Sequence, residues 1–252
     1  DKKFTDLYRL RWDFRSAAVA LKKHLTKQKF QKHDVSIWGK YSFDDFISEI
    51  NGEPNELPEI LKISMKRAIT DFDLEHKVFR VDSILDKDYL EYFYRMIPKN
   101  NEYLNKYYKV TADYLNMNSA LRFYEIEYKF GSFEEFYINF GFVPLSFYKV
   151  MWEYERSGMT ARFVHTPYGK ELYDVLSLAL HHKDFSFFED YFKKVKINIL
   201  SESIYSTFGL EVVLFYFEKK KLEIEILGMI LKGKAANLPQ EILQKAVANV
   251  FV

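Results

Sequence analysis

Tyr108-Lys-Val-Thr-Ala-Asp113-Tyr-Leu-Asn116-Met-Asn-Ser-Ala-Leu121-Arg122 is the stretch whose reading decides the fold class. Tyr114, Met117, Leu121, Tyr124 and Tyr128 follow one another in steps of three and four, the period of a single helical face. An acid, Asp113, is followed nine residues later by a base, Arg122. The same pattern stands near the start of the chain, in Tyr8-Arg-Leu-Arg-Trp-Asp13-Phe-Arg-Ser16-Ala-Ala-Val-Ala-Leu21-Lys22. There Leu10, Phe14, Ala17, Leu21 and Leu25 make the apolar face. A looser copy, Glu223-Ile-Glu-Ile226-Leu-Gly-Met-Ile-Leu231-Lys232, keeps the acid-to-base spacing of nine.

The three acids fall at 13, 113 and 223, a period near a hundred residues. Solenoid repeats run to roughly 20 to 50 residues, so each unit here is domain-sized. Each copy leads to a candidate helix start: Ser42-Phe-Asp-Asp45, Ser132-Phe-Glu-Glu135 and Asn237-Leu-Pro-Gln240. A small polar residue with an acid or amide three positions on is the capping-box arrangement. Lys87-Asp88-Tyr89 and Lys183-Asp184-Phe185, offset by 96 residues, precede the second and third copies, and nothing comparable precedes Asp13. The sequence therefore predicts three units, at 1–82, 83–180 and 181–252, the first incomplete at its N-terminus.

Composition agrees with an all-α protein. Nine Gly and 6 Pro in 252 residues are roughly half the usual share, and strands joined by tight turns need more of both. Leu57 to Thr70 reads as a helix opening near Pro58, and Leu85 to Ile97 as one that stops at Pro98. Phe140 to Pro144 reads as a buried turn and Thr166-Pro-Tyr-Gly169 as a break. Leu222 to Ile226 alternates at period two, which suits a strand. Phe215, Leu222, Ile226, Met229 and Ile230 also continue a helical face, and Gly233 suits a C-terminal cap, so the helix is preferred.

The 37 bases and 36 acids leave a net charge of +1, which supplies no global field for nucleic acid. With no cysteine, disulfides and thiolate chemistry are excluded. No apolar run approaches the roughly 20 residues that cross a bilayer. Phosphate-binding loops, His-Glu-X-X-His and nucleophile-elbow motifs are missing. His181-His182 with Asp184 is the nearest metal candidate, but adjacent helical residues point about a hundred degrees apart and do not easily share an ion. Asp44-Asp45 and Glu134-Glu135 read as first-turn acids that complement a helix dipole. Lys219-Lys-Lys221 reads as a solvated face, or alternatively as a patch for anionic lipid or an acidic partner. The rings of Phe187, Phe188, Tyr191 and Phe192 read as core rather than as an exposed partner site. No cofactor is expected.

Asp113 through Arg122, Leu10 to Leu25, and Phe208-Gly-Leu-Glu211 through Lys232 to Ile242 together resemble the C-type component of V/A-type rotary ATPases, known as the d-type component in eukaryotic vacuolar ATPases, and its divergent bacterial branch. Ser16 and Ile226 depart from the pattern where the second copy has Asn116, and Gly228 stands where the family often has a charged residue. The resemblance implies three similar helical bundles arranged as a funnel, and a non-catalytic rotor part joining the central stalk to the membrane proteolipid ring during H⁺ or Na⁺ transport. It implies a peripheral place on the cytoplasmic face, with the ring as the only link to the membrane. Asp13, Lys22, Asp113, Asn116, Arg122, Glu223 and Lys232 are the repeat markers and candidate interface residues. Nine residues make two and a half turns, so acid and base within one copy cannot pair; each acid is expected to bond a neighbouring helix or to face the shaft. A helical scaffold or adaptor unrelated to rotary motors is the alternative.

Overall fold

The structure is a computed structural model that describes residues 2–125, 129–153, 160–182, 184–205, 209–241 and 243–244. Tyr128, Lys183, Phe208 and Ile242, used above, lie outside the described residues, as does the side chain of Tyr124. The described helices are α1 (Lys2–Leu25), α2 (Phe43–Asn51), α3 (Glu59–Glu75), α4 (Val78–Met96), α5 (Glu102–Glu125), α6 (Phe130–Glu134), α7 (Leu145–Met151), α8 (Gly169–His182), α9 (Ser186–Ser201) and α10 (Leu210–Ala235). Short 3-10 turns occupy Lys32–Asp34, Arg162–His165 and Glu202–Tyr205. Among the described residues there is no strand, and Leu222 to Ile226 is helical within α10. No described helix is long and apolar enough to cross a membrane.

The chain divides into two compact units, one of residues 1–97 and 115–138, the other of 98–114 and 139–252. The expected boundaries at 82/83 and 180/181 fall inside α4 and α8. In α4 the buried face continues from Val81 through Ile84, Leu85 and Leu90 to Phe93, so a break there would divide one packed surface.

In the first unit α1, α3 and α4 pack against one another. Phe4 meets Phe93 at 6.0 Å and Phe14 meets Tyr89 at 5.6 Å between ring centroids, so large rings supply much of the burial. Helix α2 opens as its sequence predicts: Asp45 N donates to Ser42 Oγ, and Ser42 N donates back to Asp45 Oδ2 at 2.8 Å. It closes on Gly52 in the left-handed region, φ 76°, where glycine carries no steric penalty. Helix α4 ends before Pro98, as expected.

Two of the expected capping boxes are not formed, although helical residues do begin at Gln240 after the second of them. Ser132 lies inside α6, whose N-cap is Lys129, and Glu134 and Glu135 stand at the end of that helix rather than in its first turn. Burial of Phe133 and Phe136 beside Phe123 sets this turn. Asn237 closes α10: at φ 54° it donates to Lys234 O at 3.0 Å while Leu238 N donates to Gly233 O at 2.9 Å, the Schellman pairing. Gly233 is therefore in the last turn and not the cap. A Cβ there would strike Leu243.

In the second unit α8 packs on α9 and α9 on α10. Tyr114 lies 5.6 Å from Phe188 and 5.4 Å from Phe192. Phe188 and Phe192 belong to the core, whereas Phe187 is exposed. The front of α5 is fastened to α10 by Asn101 Nδ2 donating to the buried Glu211 and by Tyr107 OH donating to Glu218 Oε1 at 2.9 Å.

Arg80 on α4, only 3 % exposed, closes the first unit electrostatically. It donates to both oxygens of Asp71 on α3 at 2.8 and 2.7 Å, donates to Glu135 at 2.8 Å, and lies over the Phe136 ring at 4.6 Å. Removing one member of a buried pair leaves the other charge uncompensated. Because Glu135 is well exposed, the penalty falls mainly on Asp71. Arg80→Met is expected to cost about 2–3 kcal/mol, read as a lowered urea midpoint with an unchanged slope.

Candidate functional site

Helices α1 and α5 are both 24 residues long, and Asp13 and Asp113 occupy the same place in each, the twelfth residue counted from Lys2 and from Glu102. Both carboxylates are buried, at 1 % and 0 % exposure. Neither bonds a neighbouring helix. Each turns to the loop that follows its own helix and accepts two consecutive backbone N–H groups: Lys40 N at 2.8 Å and Tyr41 N at 3.2 Å for Asp13, Phe142 N at 2.9 Å and Val143 N at 3.0 Å for Asp113. Where a bond to a neighbouring helix was expected, each acid instead holds the loop that follows its own helix. An irregular loop running over a helix brings unpaired N–H groups, and burial obliges them to find an acceptor.

One turn further along each helix stands a second anchor. Ser16 Oγ accepts Ser36 N at 3.0 Å. Asn116, within the first unit, accepts Ile138 N at 2.8 Å and donates to Ile138 O at 2.9 Å. Ser36 and Ile138 lie equally far ahead of Gly39 and Gly141. A Cβ at either glycine would run into the anchoring carboxylate. The two copies thus share one frame: acid, small polar residue, glycine loop, then a helix, α2 behind Ser42 and α7 behind Pro144. In sequence terms Ser42 corresponds to Pro144, not to Ser132.

The anchors differ in charge balance. Burial pushes the Asp13 carboxyl up to about 6, opposed by the N–H groups of Tyr41 and Lys40 and by the charges of Arg9 and Lys40. Its Oδ2 is buried and finds no hydrogen-bond partner among the described residues. Asp113 is also raised by burial, but Tyr168 OH donates to its Oδ2 at 2.7 Å and opposes the shift. Arg9, which donates to Trp38 O and Gly39 O, completes a stripe of Arg9, Asp13 and Ser16 along α1.

Lys22, the basic end of the first copy, turns toward α4 instead, and Arg122, the basic end of the second, is exposed. Lys22 pairs with Asp82 at 2.9 Å. The charges of Arg122, Arg11 and Arg15 reach Asp86 one turn further on. Glu223 does not share the Asp frame: it is exposed on α10 and pairs with Lys220 at 2.7 Å. Lys232 is exposed beside an open groove lined by Gly228, Met229 and Leu238. Among the described residues no His, Asp or Glu side chains gather as a set able to hold a metal ion, and His181 and His182 are both exposed. Sequence reasoning missed Arg9, Gly39, Gly141 and Tyr168. A glycine 26 residues after Asp13 and another 28 residues after Asp113 is the signal that points to these positions.

A protein-family model described as ATP synthase (C/AC39) subunit matches residues 1–246. The chain belongs to this family. It is a family of V/A-type rotary ATPase components, and the match takes in both Asp frames and α10. No curated protein matches the chain.

Two outcomes test the frame. With its folded value near 6 above an ordinary 3.8, Asp13 binds more protons folded than unfolded between these values, so its contribution to stability rises as pH falls from 7 toward 4.5. The urea midpoint of Asp13→Asn is expected to lack this increment, worth up to about 2 kcal/mol in the wild type. Gly141→Ala forces the loop off Asp113 and is expected to cost about 2–4 kcal/mol, more than Gly131→Ala, where nothing lies within contact of the added methyl; thermal unfolding of the two variants makes the comparison.

Proposed function

We propose that this chain is the non-catalytic rotor coupling subunit of a V/A-type ATPase, joining the central-stalk subunits to the membrane proteolipid ring on its cytoplasmic face. The match to the ATP synthase (C/AC39) subunit family across residues 1–246 carries this reading. The site chemistry supports it. Asp13 and Asp113 each accept two backbone N–H groups of their own loops, with a steric stop supplied by glycine, so the most buried acids in the sequence pattern hold loops.

The exposed markers are the candidates for contact with partners. Glu223 and Lys232 lie on α10, which also exposes Val213, Tyr216, Ile224, Leu227 and Leu231. Apolar residues in such number along one helix fit a chain that buries surface within an assembly. The repeated frame of the first two copies supports a plan built by repetition. We read 181–252 as the third unit and the three as a funnel on the ring. Ion identity, H⁺ or Na⁺, is a property of the ring.

Co-purification of the chain with the proteolipid ring and the central-stalk subunits is the test. Retention on both at micromolar concentration is expected, with no ATP turnover by the chain alone. Failure to bind either overturns coupling, and turnover by the isolated chain overturns the non-catalytic assignment. Lys232→Glu is expected to weaken retention at least fivefold while leaving the thermal midpoint within about 2 °C, because exposed substitutions change stability little.

A further inference from the structure

Residues 22–41 hold six lysines against the one acid Asp34, a net charge of +5 in a chain whose total is +1. Lys22 is paired with Asp82 and Lys23 with Asp34. Lys27, Lys29, Lys32 and Lys40 are exposed and make no ion pair among the described residues. At the tip of the same loop Ile37 is 88 % exposed and Trp38 54 %.

This tip is held in place. Ser36 N is bonded to Ser16, Trp38 O and Gly39 O accept from Arg9, and Lys40 N and Tyr41 N donate to Asp13. Below it Phe30 stacks on Phe43 at 4.9 Å, and Asp34 ties Gln31 N to Lys23. The backbone is fixed by three side chains of α1 while two large apolar side chains are turned to water. A loop that merely connects two helices gains nothing from that arrangement.

The second copy serves as an internal control. Its corresponding residues, 122–143, carry two bases against four acids, a net of −2, on the same Asp and glycine frame. The frame therefore does not require the lysines.

We infer that the Lys27 to Lys40 segment is a membrane-surface contact, with its lysines set against anionic lipid headgroups and Ile37 and Trp38 entering the interface. Trp and Lys together suit the headgroup region, where an indole ring seats at the boundary and the ammonium groups attract the anionic surface. The unpaired bases are all lysine, a strongly hydrated point charge suited to a diffuse anionic surface, whereas buried protein contacts and phosphate recognition favour the planar arginine fork. An acidic protein segment is the competing occupant. This contact is independent of rotor coupling and adds a direct link to lipid beside the ring.

Vesicle sedimentation with the full chain tests it without any ATPase component, so its outcome and that of the ring and stalk experiment are separable. Vesicles of phosphatidylcholine with about 30 % phosphatidylserine are expected to bind the chain at low salt, and pure phosphatidylcholine vesicles not to. Tryptophan emission should shift to the blue on binding, and the shift should disappear in Trp38→Phe although Trp12 and Trp152 remain. The exposed triple variant Lys27→Gln, Lys29→Gln, Lys32→Gln should reduce partitioning about 100-fold, since each lysine near such a surface contributes about fivefold. Its circular dichroism should stay that of the wild type. Equal binding to neutral vesicles, full binding by the triple variant, or loss on Lys219→Gln, Lys220→Gln, Lys221→Gln instead would overturn the inference. So would capture by an acidic peptide such as polyglutamate with no vesicle binding.

Discussion

A carboxylate set in the middle of a long helix and turned back onto the loop that leaves that helix is the constraint on which the rest of the structure depends. Helices α1 and α5 need no help along their length, because their backbone groups bond internally. The loops that return across them do need help. Asp13 and Asp113 each supply one acceptor group to two successive donors, and a charged acceptor makes each such bond stronger than a neutral one. The loop then starts its next helix, α2 or α7, from a fixed point. Burying a charge opposes this gain, which is why both carboxyls are raised. The second copy relieves the opposition with the Tyr168 hydroxyl; the first leaves one oxygen of Asp13 without a partner among the described residues.

Close approach is the other half of the device. Gly39 and Gly141 lie against the carboxylates with no room for a methyl group, so the bond lengths near 3 Å exist only because the side chain is missing. Ser16 and Asn116 add a second tie one turn away, by different chemistry: a hydroxyl that accepts once, and an amide that both accepts and donates. The frame tolerates this exchange, since any small polar group within reach satisfies the loop N–H. What the loop displays outward is then free to diverge, and it does so in sign of charge between 22–41 and 122–143.

How much of this was legible in the sequence follows from the range of each interaction. The buried face of α1 from Leu10 to Leu21, the capping box at Ser42 and the stop at Pro98 rest on contacts within a few residues, and the structure has them. The recurrence of Asp13 and Asp113 was legible as a pattern, yet the partners of these acids were not, because they lie 27 to 30 residues downstream and only chain reversal brings them close. The acid-to-base spacing of nine marks a pair that never meets: the acids serve loops, and Lys22 serves Asp82 on α4. Glu223 repeated that spacing without a glycine loop behind it and proved to be a surface residue paired locally with Lys220. Ser132 had the letters of a capping box, but burial of Phe133 and Phe136 displaced the helix start.

For a protein proposed to carry torque, the frame has a mechanical consequence. A force applied at a loop tip such as Ile37–Trp38 is passed through Arg9, Asp13 and Ser16 into successive turns of α1, not into two flexible strand-like arms. Those turns are in turn packed on α3 and α4, and α4 is locked to α3 by the two bonds between Arg80 and Asp71. The load path runs from loop to helix to helix through short polar contacts and dense rings, with Gly52 and Lys27 confined to positions where a left-handed residue closes a helix. Stiffness of this kind asks only that the frame be kept. The outward charge of each loop is then the part of the repeat left to determine which surface it meets.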